Sequence, residues 1–542
     1  MSAWLDNIIE TISPSWGLKR RFAREALSTR GYDAGKLNRV TQGWKPISEP
    51  GDPVNWEEVT RLRDRSWDLY RNNPQARKLV NSICSKVLPL HPQPQSVDIT
   101  GKTADKFREE SVKHWQNWLK YASASGTPGM GGWHGTELFR IALRMLICSG
   151  EVLIHKRYLT RAEMIRRGSP APLVLELVSA ERMADAMFPE NAVGSGNQIF
   201  RGVEVTPEGY RAAYWLYDEH VNTPYPLTSD LTPKRYPAED FIHLYMADQY
   251  GQYRGVPWLS AVMMPIRNID DLDENELLAS VLRSCVIGGI RRINQAAAGG
   301  FAGPANSNDT DGYGNSFRRF QPGSIMELRE GEDMIANNMG GPNINVPEFG
   351  DAMTRKVATG MPGVKSSTLT GDYRNASFSS EKAADNDNWP EVFAIQKMIA
   401  NHFLQPVWEQ LTDDAVVTGT IEEPGDYQVD PDMYLACNWQ GPVPKSINPK
   451  DDAEADILSM RNGFESLQSI ASRRGSNWRE VLNDMAEVYE YAGQKSLNES
   501  FINTLYGVMP EPSATNDGNQ QQSPDGNATQ KQEVASGQET AN

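Results

Sequence analysis

Five carboxylates, Asp270, Asp271, Asp273, Glu274 and Glu276, fall within seven consecutive residues. Acids at this density can hold a divalent cation, or they can form a solvated face of a helix. The stretch DDLDENE contains no glycine to make the sharp turn of a calcium loop, which weakens the cation reading. The histidines, at 91, 114, 134, 155, 220, 243 and 402, show no ligand spacing, and Cys84, Cys148, Cys285 and Cys437 form no CxxC pair. His243 lies in a β-rich run and reads as a packed histidine rather than a ligand. The phosphate-cradling pattern GxxxxGK[ST] is absent, as are HExxH and GxSxG. The residues thus predict no catalytic centre, metal or cofactor.

Composition narrows the classes further. The chain has 542 residues and a net charge of −16, with 39% hydrophobic and 23% charged residues. That balance is ordinary for folded protein, and the length suits several domains. A protein that coats DNA needs a basic stripe to release phosphate counterions, and this charge argues against one. It does not argue against a protein that surrounds DNA without gripping it, because like charge discourages sticking. Widely spaced cysteines suit a reducing compartment. The first residues lack the order of a secretory leader, and there is no run of 18 apolar residues to span a membrane. Lys19, Arg20, Arg21 and Arg24 read as a solvated helix face, with a membrane or nucleic-acid contact as the alternative.

The elements that position the acids follow from periodicity. Residues 55–90, 103–122 and 135–150 have helical spacing, and 151–245 is mainly short β-rich runs with a hairpin turn at TPEG, 206–209. Residues 257–290 read as one helical element, restarted or kinked near Pro265 and stopped by Gly288-Gly289. The Gly- and Asn-rich span 293–316 is too polar to pack densely. SIMELREGEDM (324–334) and NINVPEF (343–349) look like short strands. Residues 360–380 have no apolar period and many turn formers, so they read as a long, mobile loop. Ser379 or Ser380 is placed to cap the following helix, which carries Val392, Ile395, Ile399, Phe403 and Val407 and should kink or restart at Pro390 and Pro406. Helical stretches at 450–473 and 476–505 end the ordered part, and 511–542 are too polar to fold.

Six segments carry a resemblance by occurring together in this order: WDLYRNNPQARKLVNSI (67–83), SGEVLI (149–154), RGVEVTPEGYRAAYW (201–215), QYRGVPWLSAV (252–262), LTGDYRNASFSSEKAA (369–384) and PVWEQL (406–411). Over residues 15–505 the chain resembles the lambda-type family of bacteriophage portal proteins. It departs from the family pattern at VLPLHPQPQ, where a Gly-rich turn is common, and at Lys382, where an Arg is common.

The resemblance implies a mixed α+β portal fold that assembles into a ring, typically of twelve copies, at one vertex of the viral head. Double-stranded DNA would pass through its axis. It implies an N-terminal arm and wing over 1–256, a stem helix over 257–285, a clip over 286–345 and a second stem segment over 346–361. A tunnel loop over 362–378 follows, then a long kinked helix returning to the wing over 379–445, a helical crown over 446–508 and a disordered tail over 509–542. Asp270, Asp273, Glu274 and Glu276 become candidates for lining the channel, with an ordinary exposed helix face as the alternative. Val262, Ile266, Ile269, Leu278, Val281, Leu282 and Cys285 would pack on neighbouring subunits. Lys365, Tyr373 and Arg374 become DNA-proximal candidates, or else intersubunit contacts. Arg318 and Arg319 would meet partners at the clip, or remain solvated. The implied partners are the terminase large subunit, major capsid and scaffolding proteins and a head–tail adaptor. The implied location is the virion, after assembly in the host cytoplasm. A minor head or head–tail adaptor protein and a virion-associated hydrolase are the other readings.

Overall fold

The computed structural model describes residues 56–495, except 95–101, 185–195, 221–222, 224–231, 286–287, 293–331, 337–345, 375–376, 445–447 and 477. The fold is mixed helix and sheet. Arg318, Arg319, the Gly-rich span 293–316, the basic cluster at 19–24 and the tail lie outside the described residues.

Helices α1 (Trp56–Asn72) and α2 (Pro74–Val87) meet at Asn73. The Asn73 side chain accepts from the Ala76 amide at 2.7 Å, and Pro74 occupies the first turn, where a missing N–H leaves no bond unmade. Strand β1 (His91–Pro94) and helix α3 (Lys102–Trp118) follow, then α4 (Gly135–Ser149). Trp115 and Trp118 of α3 are buried, and the Trp118 indole N–H donates to the Leu173 carbonyl at 2.8 Å, which satisfies its polar end.

Strand β2 (Glu151–Tyr158) is the centre of a three-stranded antiparallel sheet, between β3 (Leu173–Ser179) and a strand that comes last in this region. Between β2 and β3, in the gap separating two of the short β-rich runs, lies a short helix, α5 (Arg161–Arg167); Thr160 and Glu163 form its capping box. A second, four-stranded antiparallel sheet runs in order β4 (Gln198–Phe200), β5 (Val203–Val205), β6 (Arg211–Leu216) and β7 (Lys234–Pro237). The TPEG turn joins β5 to β6 as expected, with Gly209 at φ +91° where a side chain would be strained. The last strand of the first sheet is β8 (Phe241–Tyr245).

After a 3₁₀ turn at Trp258–Ala261, helix α6 runs Met263–Cys285, with Pro265 in its first turn. The helix stops short of 290. Gly288–Arg292 forms strand β9, antiparallel to β10 (Glu332–Ala336), because paired glycines favour leaving a helix over continuing it. The expected strand at 343–349 is also corrected. Val346–Thr359 is helix α7, its Pro347 sits in the first turn, and Val357 and Ala358 are buried.

The expected long loop at 360–380 contains helix α8 (Ser366–Thr370), and helix α9 spans Phe378–Ile399. The α9 cap is Ser377, one turn earlier than Ser380, which instead completes the capping box from inside the helix. Pro390 lies inside α9. Ahead of Pro406 the backbone widens into a π turn, Ala400–Leu404, before α10 (Gln405–Val417). Proline cannot donate to the preceding turn and its ring crowds the carbonyl four residues back, and a π turn relieves both. Helix α11 (Pro431–Leu435) precedes β11 (Cys437–Gln440), which pairs antiparallel with β1.

One large core gathers residues from α2, α3, α4, β2, the start of α6, the end of α7, α9 and α10. Val262, Ile266 and Ile269 belong to it, so these three pack within the subunit rather than on a neighbour. Burying each is worth roughly 1.5–3 kcal/mol. A smaller core lies under β5 and β6, and a third holds Phe107, Tyr427 and Tyr434.

The chain divides into two units, residues 1–452 and 453–542. The expected helix at 450–473 breaks into α12 (Pro449–Arg461), which runs across the division, and α13 (Leu467–Arg473), and α14 (Trp478–Gln494) follows. Asn462-Gly463 makes the break, with Gly463 at φ +73°. Asp456 holds Arg474 at 2.6 Å and also pairs with Arg473.

Candidate functional site

The carboxylates on α6 divide by environment. Asp270 is half-buried and accepts from the Asn73 side-chain Nδ2 at 2.7 Å, so the asparagine that caps α2 also fixes α6. Asp271 pairs with Arg267 at 3.0 Å. Asp273 and Glu274 are exposed, and Glu276 is half-buried. At 100° per residue, Glu276 sits about 120° around the helix from Asp270, so the four candidates do not share one stripe. Among the described residues no group of three His, Cys, Asp or Glu is arranged to hold a metal ion.

The segment 361–374 is anchored along most of its length. Met361, Val364 and Leu369 are buried in the main core. The Lys86 ammonium donates to the Gly363 carbonyl at 2.7 Å, and the Gly363 amide donates to Glu391 at 2.9 Å. The Lys365 ammonium reaches Glu381 and Asp385, each at 2.8 Å, and only 14% of its side chain is exposed. Burial pulls the Lys365 pKa down, but the two carboxylates outweigh it and the net shift is upward. Lys365 is therefore engaged inside the subunit, whereas Tyr373 and Arg374 are exposed. An open polar cleft of about 220 Å³ lies beside them, lined among others by Asp351, Arg355, Ser366, Thr370, Asp372 and Glu381.

The strongest electrostatic feature was not singled out from the sequence. Glu151, at the start of β2, is fully buried. It accepts from Arg254 Nε at 2.8 Å, from Arg63 Nη2, from His243 Nε2 at 3.0 Å and from the Gly255 amide at 3.0 Å. Arg63 and Arg254 are buried with it, and Arg254 also donates to the carbonyls of Arg201 and Ala180. Burial pushes the Glu151 carboxyl up, but Arg254 and Arg63 outweigh it, and the acid stays well below its ordinary range. His243 is a packed histidine, as expected. Burial lowers its pKa and Glu151 offsets only part of that. The backbones of Gly150 and Gly255 touch here: a Cβ on Gly255 would stand 2.1 Å from the Gly150 carbonyl oxygen. Three residues further on, the 3₁₀ turn leads into α6, so this network fixes how the sheet hands over to that helix.

Two of the six sequence segments thus contribute the partners of one buried ion network: SGEVLI brings Glu151, and QYRGVPWLSAV brings Arg254 and Gly255. Residues 37–396 match the family model described as phage portal protein, lambda family. The chain belongs to the lambda family of phage portal proteins. Among curated relatives, this portal chain is 20% identical over 480 residues to portal protein B of Escherichia phage lambda, covering 83% of this chain and 88% of that one. It is 18% identical over 482 residues to the portal protein of Escherichia phage N15, with the same coverage. Among solved structures it is similar to the neck of an empty GTA particle, at 14% identity over 82% of this chain and 99% of that chain, with a TM-score of 0.43. The neck of the native GTA particle gives 14% identity, 79% and 95% coverage and a TM-score of 0.39. Portal proteins belong to the particle and are structural components. Among the described residues, no helix of this portal chain is long and apolar enough to cross a membrane.

Proposed function

We propose that the chain works as a ring, of twelve copies, whose axial channel passes double-stranded DNA during packaging and ejection. It has no catalytic activity of its own; the terminase large subunit supplies the ATP chemistry. Major capsid and scaffolding proteins surround it during assembly in the host cytoplasm, and a head–tail adaptor joins later. The match to lambda-family portals over residues 37–396 carries this reading. In it, α6 and α7 are the stem, 286–345 the clip with Arg318 and Arg319 toward partners, and 446–508 the crown. Asp273 and Glu274 are the acids free to face the channel. A negative wall does not trap phosphates, so DNA slides.

Ring formation needs a surface that a single subunit leaves uncovered. On α6, Leu277, Leu278 and Val281 are 68%, 55% and 49% exposed, which is costly for a lone helix and suits a neighbour. Negative-stain microscopy of the purified chain should show rings with a central hole. Leu278→Glu should keep the subunit folded and abolish the rings. A compact monomer for the unmodified chain, under assembly conditions, would overturn the reading.

A further inference from the structure

Arg374 carries the exposed cation of the turn that follows α8, and it is already occupied. Its Nε donates to Asp372 Oδ1 at 3.0 Å and Oδ2 at 3.1 Å, its Nη2 donates to Oδ2 at 2.6 Å, and its backbone amide donates to Oδ1 at 3.0 Å. The turn is built to present this pair. Gly371 ends α8 at φ +68°, and the Asp372 amide donates to the Thr370 hydroxyl at 3.2 Å, which sets the direction of the carboxylate. Arg374 is 87% exposed, so the pair is no packing contact. Asp351, on α7, adds a further negative charge to its surroundings. A carboxylate and a phosphate offer a guanidinium the same two-oxygen geometry, so Asp372 stands where a phosphate would bind. An exposed pair of this kind is weak, and a phosphate can displace it.

We propose that Asp372 eases DNA passage as a built-in competitor that keeps Arg374 from holding any one phosphate. The inference rests on the proposed DNA-conducting channel and on the expectation, implied by the resemblance, that Tyr373 and Arg374 lie beside the DNA. With the carboxylate present, each contact begins with the pair opening and ends with its closing. The turn from Gly371 to Arg374 stays neutral in sum, as a sliding surface requires. Lys365 plays no part, because Glu381 and Asp385 hold it below the surface.

The test uses full-length rings and a fluorescently labelled duplex of about 40 base pairs, with binding measured across a salt series. Asp372→Asn should bind more tightly at low salt. The slope of log affinity against log salt should steepen by about 0.9 for each arginine released onto a phosphate. Asp372→Glu, which restores the charge, should return the slope toward that of the unmodified ring. Asp372→Asn combined with Arg374→Ala should lose the gain entirely. An unchanged slope in Asp372→Asn would overturn the proposal, as would a gain that survives removal of Arg374. A photoreactive phenylalanine analogue in place of Tyr373, which is 57% exposed, separates the two layers. Crosslinking to DNA with an unchanged Asp372→Asn overturns the inference alone. Absence of any crosslink overturns the placement of the turn beside DNA, and the inference with it.

Discussion

Glu151 shows how one buried charge sets the requirements for its neighbours. Removing it leaves Arg63 and Arg254 buried without their anion, so Glu151→Ala should destabilise the subunit by roughly 3–5 kcal/mol, read as a lowered denaturant midpoint. The network also predicts the sign of the pH dependence. Burial keeps His243 neutral in the folded subunit, while an unfolded histidine takes up a proton near pH 6.5. The unfolded chain then binds more protons, so stability is fully present above about pH 6.5 and is lost as pH falls toward the lowered folded value. Glu151 adds loss of the same sign below its ordinary 4.5. Tyr214, Tyr245, Arg211 and Arg254 are the other polar groups around the imidazole, and the arginines add to the penalty for charging it. Urea midpoints at pH 7.5, 6 and 5 should fall steadily for the unmodified chain. For His243→Asn they should be flatter between 6.5 and 5.

At the scale of elements, the junction between sheet and α6 depends on two glycine backbones in contact. The Gly255 position is intolerant because a Cβ would meet the Gly150 backbone and the Tyr245 Cβ, none of them a flexible side-chain end. Gly255→Ala should therefore shift β2 away from the segment entering α6 and lower stability by about 1–3 kcal/mol, the usual range for overpacking. A thermal melt measures the loss, and ring yield should fall with it. The segment before α9 holds more structure than its sequence suggests. It reads as one long mobile loop because its apolar residues, Met361, Val364 and Leu369, are too few for a period. Each finds a place in a core built by distant helices, and Lys86 and Glu391 tie down Gly363.

At the scale of the whole molecule, charge and composition carry the expectation. In the proposed ring, a net charge of −16 per chain favours excluding DNA over gripping it. Residues 511–542, outside the described residues, hold five acids, one lysine and almost no apolar side chains, so the sequence predicts that ring formation does not depend on them. Deleting 509–542 should leave the ring mass equal to the same number of shortened subunits by native mass spectrometry. A drop to monomer would show that the tail bridges subunits.

The sequence by itself determined the family, the mixed α+β class, the β-rich character of residues 151 to 245 and the presence of α6, whose ends it overshot. The class and the elements rest on local signals, apolar period and turn residues, which act between near neighbours in the chain; the family rests on the order of six segments along it. Only the tertiary structure decided what the polar residues do. Glu151 and Arg254 are 103 positions apart, and Asn73 and Asp270 are 197 apart, yet each pair is in hydrogen-bond contact. From the sequence Lys365 reads as a DNA-proximal candidate or an intersubunit contact, because Glu381 and Asp385 lie 16 and 20 residues further on, beyond a turn whose path the sequence leaves open. A charge has no periodicity that reveals its partner. Its partner is chosen by how the apolar faces pack, and that packing is a property of the whole chain.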